Sequence, residues 1–175
     1  IYDHTNSKWI TYNYDVTVNF NSNGKGSNPV SKTVLKGNKI TSPTTPSVTG
    51  YSVEGWYKES ACTNRWDFNS VVNEDMTLYA KWTPNTYNIT YKDQGGSNFS
   101  GTHASGYPTT HTYGTATTLK TATKTGYTFG GWHTDQACTQ KVTTLGATAY
   151  TANIILYAKW TEKPKYTVTI SSDGN

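Results

Sequence analysis

The sequence is poor in charge, in sulfur and in long apolar runs. Of its 175 residues only 15% are charged, one is methionine and two are cysteine. No apolar run approaches the ~20 residues that a membrane-spanning helix needs, so no membrane span is expected in this segment. Its start lacks the basic, apolar and small-residue succession of a secretory leader, which places any export signal outside the segment. The net charge is +4, from 15 basic against 11 acidic residues. The basic residues are scattered singly from Lys8 to Lys165. Without the concentrated cationic stripe that phosphate binding requires, nucleic acid is not an expected partner.

Motifs of catalysis are missing too. No GxSxG, HExxH or P-loop pattern occurs, and His4, His103, His111 and His133 lack metal-ligand spacing. These histidines read as loop residues. Cys62 and Cys138 are 76 residues apart, which fits neither a CxxC redox pair nor a zinc site. The chain is therefore expected to be no enzyme and to hold neither metal nor cofactor.

What is abundant points to sheet. Threonine occurs 33 times, aromatics make up 14%, and 15 glycines and 6 prolines supply turns. Threonine and aromatic side chains suit a pleated, half-buried surface, and good helix formers are few. The 14 tyrosines and 6 tryptophans argue against disorder, because disordered chains are poor in aromatics.

A period of about 76 residues runs through the chain. Gly50-Tyr51, Gly55-Trp56 and Ala61-Cys62-Thr63 return with the same spacing as Gly126-Tyr127, Gly131-Trp132 and Ala137-Cys138-Thr139. Leu78-Tyr79-Ala80-Lys81-Trp82 returns as Leu156-Tyr157-Ala158-Lys159-Trp160. Each Lys-Trp pair is soon followed by a tyrosine that opens an alternating run, as are Lys8-Trp9 and Tyr14. The organisation expected is thus residues 1–9 as the end of a preceding repeat, 14–82 and 87–160 as two full repeats, and 166–175 as the start of a following one. Residues 83–86 would be the linker.

Within a repeat the apolar period is two: Tyr14, Val16, Val18 and Phe20 share one face, as do Leu78, Ala80 and Trp82. Second strands are predicted over 33–41 and 112–119, and residues 41–49 as an extended connection, since Pro43 and Pro46 forbid a helix interior. Glu59 and Asp135 precede the two cysteines and are expected to cap one short helical turn.

The blocks GYSVEGWYKESACT with TLYAKW, and GYTFGGWHTDQACT with ILYAKW, resemble the Listeria-Bacteroides repeat, a family that includes the B-repeat of internalin B. The resemblance covers nearly the whole chain. It implies β-rich (α+β) modules of β-grasp, ubiquitin-like type, set in tandem in an elongated array. It also implies an extracellular location at a bacterial cell surface, with a role in adhesion or as a spacer, and no catalytic residues. The second repeat departs by an inserted Gly-rich segment over 95–108, by Gly130 in place of Glu54, and by Phe129 in place of Val53.

A residue that recurs in both copies serves the module, so Tyr51, Trp56, Trp82, Tyr127, Trp132 and Trp160 are the expected structural core. Trp66 and Tyr107 do not recur and are the candidates for a ligand-facing patch. Cys62 and Cys138 occupy like positions in successive modules and are expected as unbridged thiols. The reading that follows is a monomeric stalk whose partners are adjacent repeats of the same chain. The alternative is direct, multivalent binding of a host glycan or a host-surface protein.

Overall fold

The computed structural model describes residues 13–169, together with the backbone pairing of β1 (Tyr2–Asp3) with β2 (Lys8–Trp9). Residues 1–9, expected as the end of a preceding repeat, thus hold two short antiparallel strands, and their remainder lies outside the described residues. Of residues 166–175, expected as the start of a following repeat, 166–169 carry no strand and the rest lie outside the described residues. The chain divides into two units, Ile1–Pro84 and Asn85–Asn175.

The first unit is built on a four-stranded sheet of β3 (Asp15–Asn21), β4 (Lys32–Leu35), β5 (Tyr51–Tyr57) and β6 (Met76–Pro84), in the order β4-β3-β6-β5. The central pair β3 and β6 is parallel and the outer pairings are antiparallel. Alternation puts Val16, Val18 and Phe20 of β3 beside Leu78 and Ala80 of β6 on one buried face. Trp56 covers that face and meets the Phe20 ring edge-on at 5.1 Å. Ile40 and Val72 close the core from the two long connections.

The second unit repeats this plan with additions. Its strands are β7 (Thr86–Asp93), β8 (Thr102–His103), β9 (Thr110–Thr112), β10 (Thr117–Thr118), β11 (Ala122–Thr123), β12 (Tyr127–His133), β13 (Lys141–Val142), β14 (Thr144–Leu145) and β15 (Ile154–Glu162). The main sheet runs β13-β12-β15-β7-β9, again with a parallel centre, β7 beside β15. Two small ladders, β8 with β11 and β10 with β14, are added. Phe20 opposes Leu78 as Tyr91 opposes Leu156, and Trp56 opposes Ala80 as Trp132 opposes Ala158. These registers set the equivalences used below.

Three expectations are corrected. The second strands are shorter than 33–41 and 112–119, because Gly37 (φ +87°) and Gly114 (φ +88°) turn the chain at equivalent points in conformations open to glycine. No helical turn forms after Glu59 or Asp135. Cys62 (φ +53°) and Cys138 (φ +56°) adopt left-handed backbone there and reverse the chain. The only helical element among the described residues is a single 3-10 turn at Gln94–Gly96. The linker is shorter than 83–86, since β6 runs through Pro84 and β7 begins at Thr86, leaving Asn85 between them.

Candidate functional site

Both units carry a recess at the same place. Strands β5 and β12 each shift register against their partner, between Val53 and Gly55 and between Phe129 and Gly131. Over each of these glycines lies a cationic side chain. A Cβ on Gly55 would come 2.7 Å from Arg65 Nε, and one on Gly131 would come 2.5 Å from Lys141 Cε. The missing side chain is what lets the basic chain lie flat across the strand. Beneath it is a hollow of ≈ 250 Å³ in the first unit, lined in part by Val53, Trp56, Trp66 and Phe68. Its counterpart in the second unit, ≈ 260 Å³, is lined in part by Leu119, Phe129, Trp132 and Val142.

The two recesses differ in charge. In the first, Arg65 donates to the Glu54 carbonyl at 3.1 Å, and the Glu54 carboxylate accepts from Lys81 Nζ (3.1 Å) and Tyr57 Oη (2.9 Å). The Lys81 bond, then that of Tyr57, holds the Glu54 carboxyl below its ordinary range, and Glu54 raises the Lys81 pKa in turn. This pair is exposed to solvent, so it adds little stability. In the second unit Gly130 replaces Glu54, and Lys120 and Lys141 line the recess without an acidic residue. The Gly130 position lies against the Lys159 stem, 3.1 Å from where a Cβ would stand.

The recurrent aromatics divide by position. Trp56 and Trp132 are buried, at 4% and 3% exposure, and Trp132 Nε1 donates to the Lys120 carbonyl at 2.6 Å. Trp82 and Trp160 are half-buried against their cores, and each donates its indole N–H at 2.7 Å, to Ser22 O and to Asp93 Oδ1. Tyr51 and Tyr127, expected in the core, belong to neither core cluster. Each is half-buried with a lysine over its ring, Lys25 at 4.1 Å and Lys124 at 4.5 Å.

Trp66 and Tyr107, the candidates for a ligand-facing patch, lie in different units and neither is a freely exposed ring. Trp66 is only 8% exposed and sits in the first core, because its backbone N–H bonds to Trp56 O at 2.7 Å and draws the chain onto the β5 edge. It fills the place that Val142 holds in the second unit, which is why it did not recur. Tyr107 is 39% exposed, but one ring face is stacked on His103 at 3.9 Å. The inserted segment is an ordered cap. Phe99, His103 and Tyr107 stack in series, with Tyr91 and Trp132 against the middle ring. Burial pushes the Tyr91 hydroxyl up to about 12, and it donates to the Pro108 carbonyl at 2.6 Å.

The histidines are not loop residues. His103, His111 and His133 lie in β8, β9 and β12, and His111 and His133 are buried, whereas His4 lies outside the described residues. The acids after the third strands are backbone caps. Glu59 accepts the Thr63 hydroxyl and the N–H groups of Asn64 (2.6 Å) and Thr63 (2.7 Å), which in that order hold its carboxyl at about 2. Asp135 does the same for Thr139 and Gln140 and is lowered by those bonds. Both cysteines are free. Burial, then the Asp135 charge, pushes the Cys138 thiol up, the opposite of what a reactive thiolate needs. Among the described residues no cluster of three metal-ligating side chains occurs.

The Listeria-Bacteroides repeat domain matches this sequence twice, over residues 16–81 and 87–159. The chain belongs to that family. A protein of Evansella cellulosilytica named as a Gly-rich membrane protein is 35% identical over 172 residues, covering 96% of this chain and 18% of its own length. A second protein of that organism, named as a membrane protein, is 37% identical over 156 residues, covering 88% of this chain and 22% of its own. Internalin H of Listeria monocytogenes is 33% identical over 151 residues, covering 83% of this chain and 25% of its own. The Listeria-Bacteroides repeats described here therefore span a quarter or less of these relatives.

Proposed function

We propose that this pair of Listeria-Bacteroides repeats is a non-enzymatic spacer in the extracellular stalk of a bacterial surface protein, holding other domains away from the cell for adhesion. The observation that carries this reading is where the recurrent side chains are used. Each tryptophan N–H with a partner, each acid cap and each cation over a glycine is engaged within its own unit. The module's repeated chemistry serves its own stability. The sheet order, with a parallel central pair, supports assignment to the β-grasp type, an extended Pro-rich connection standing where that fold carries a helix. Internalin H and the membrane-named relatives support the surface location.

A spacer gains from modules set end to end. Small-angle scattering tests this. A compact chain of this length would have a radius of gyration near ~16 Å, and the spacer predicts a monomer with a clearly larger value. A compact value would defeat it.

The recurrence of the recess favours a second reading, direct binding of a host glycan or host protein at sites repeated along the array, with avidity from multivalency. Arg65 and Lys141 at the two hollows suit an acidic ligand. Glycan arrays probed with the chain and with an Arg65→Ala, Lys141→Ala variant decide it. Binding lost in the variant supports this reading, and absence of binding by both leaves the spacer.

A further inference from the structure

Among the described residues every histidine lies in the second unit. The registers show what replaces two of them in the first. His111 opposes Tyr87 as Val34 opposes Val16, and His133 opposes Tyr157 as Tyr57 opposes Tyr79. His103 belongs to the insert, which the first unit lacks. All three rings have a buried nitrogen without a hydrogen-bond partner: Nδ1 of His103, Nε2 of His111 and Nδ1 of His133.

The surroundings of two of these rings suit a neutral imidazole. His111 is fully buried, with Nδ1 2.8 Å from Thr117 Oγ1 and the Tyr150 ring edge-on at 5.8 Å. The titratable groups facing it are Tyr87 across the ladder in β7 and Tyr150. His103 is stacked between Phe99 at 4.2 Å and Tyr107 at 3.9 Å, with Tyr91 of β7 and Trp132 of β12 against it and Ala122 of β11 opposite. Its titratable neighbours are Tyr91 and Tyr107. Lys124, just beyond β11, is held by Asp93 at 3.6 Å. Among the described residues no hydrogen bond or charge from a carboxylate reaches either ring. An imidazolium carries two N–H donors, one of which would be buried here without an acceptor.

We propose that the second unit is acid-sensitive, so that protonation of His103 and His111 releases the insert and loosens this unit while the first unit keeps its fold. Burial lowers the pKa of both rings below the ordinary 6.5. The unfolded chain then binds more protons than the folded one. Stability is full above about pH 7 and falls as pH drops through ~6.5 toward the folded-state values. The carboxylates that cap both units titrate at lower pH, so the window between pH 7.5 and 5.0 isolates the histidines. This inference is independent of whether the chain is a spacer or a binder.

The test is thermal unfolding of the full chain across that window, with hydrogen exchange, corrected for the intrinsic effect of pH, assigning each transition to a unit by peptide mass. The second unit's midpoint is expected to fall by about 5 °C or more while the first unit's holds. The variant His103→Phe, His111→Val should lose this difference. Should that variant fail to fold, NMR titration of the histidine ring protons in the natural chain decides, with midpoints below ~6.5 expected. Parallel loss in both units, an unchanged pH dependence in the variant, or ring midpoints at or above the ordinary value would overturn the proposal. The last result would mean that cation–π attraction from the stacked aromatics outweighs burial.

Discussion

The indole N–H of Trp160 donates to the carboxylate of Asp93 at 2.7 Å, tying the last strand of the second unit to the end of its first. In the first unit Trp82 makes the same reach to the backbone carbonyl of Ser22. The second unit thus replaces a backbone acceptor with a buried charge. Ser100 Oγ also donates to that carboxylate, and Lys124 Nζ stands 3.6 Å away. Burial works against ionisation of Asp93, but the bonds from Ser100 and Trp160, with the Lys124 charge, outweigh it and lower the pKa.

Asp93→Ala should therefore harm the second unit alone. It removes acceptors from Trp160 and Ser100, and hydrogen bonds to a charged group contribute roughly 1.5–3 kcal/mol each. Chemical denaturation should show one transition shifted down and the other unmoved. Ser22→Ala should leave the Trp82 bond intact, because that bond goes to the backbone.

Trp132→Ala should melt the second repeat while the first stays folded. Truncating a buried tryptophan costs roughly 3–5 kcal/mol, a large share of what a ~70-residue module can hold. Trp132 also closes the insert's aromatic stack, so its loss removes the support of His103 and Phe99. Unchanged thermal unfolding would show that this ring does not carry the core.

The two bulge glycines should answer differently to alanine. The three atoms nearest a Cβ on Gly55 all belong to the Arg65 side chain, so adding Arg65→Ala to Gly55→Ala should restore most of the lost stability. Gly131 has φ +111°, a conformation that an L side chain adopts with strain of about 1–3 kcal/mol. Gly131→Ala should remain destabilised even with Lys141→Ala. A double-mutant cycle on each pair, followed by urea denaturation, separates the two cases.

Acid below pH 4.5 should weaken both units through Glu59 and Asp135. Their folded pKa values are depressed, that of Glu59 to about 2, so the stability they confer is present above the unfolded carboxylate range and is lost as pH falls through it. Glu59→Gln should flatten this dependence in the first unit only. Denaturation midpoints measured from pH 5 to pH 2.5 check it, and an unaltered slope in the variant would refute the cap.

The sequence by itself determined the repeat, the family and the sheet-rich class. Those rest on spacing and on period-two alternation, which are local: Val16, Val18 and Phe20 face one way because successive residues of a strand point to opposite sides. The tertiary structure decided what each side chain does once strands meet. Trp66 looked free for a ligand because it has no copy at the repeat spacing, yet its counterpart is Val142, and only the pairing of Trp66 N–H with Trp56 O shows that both fill one space. His111 looked like a loop residue because its short threonine-rich strand carries no legible period, and His133 because the bulge at Gly131 breaks the alternation before it. Register alone puts His111 where Val34 stands in the first unit, whereas the repeat spacing already sets His133 against Tyr57. The insert over 95–108 reads in the sequence only as a Gly-rich departure from the repeat, and its order comes from long-range stacking on Trp132. Strand pairing and ring stacking join residues far apart in the chain, so no local pattern records them.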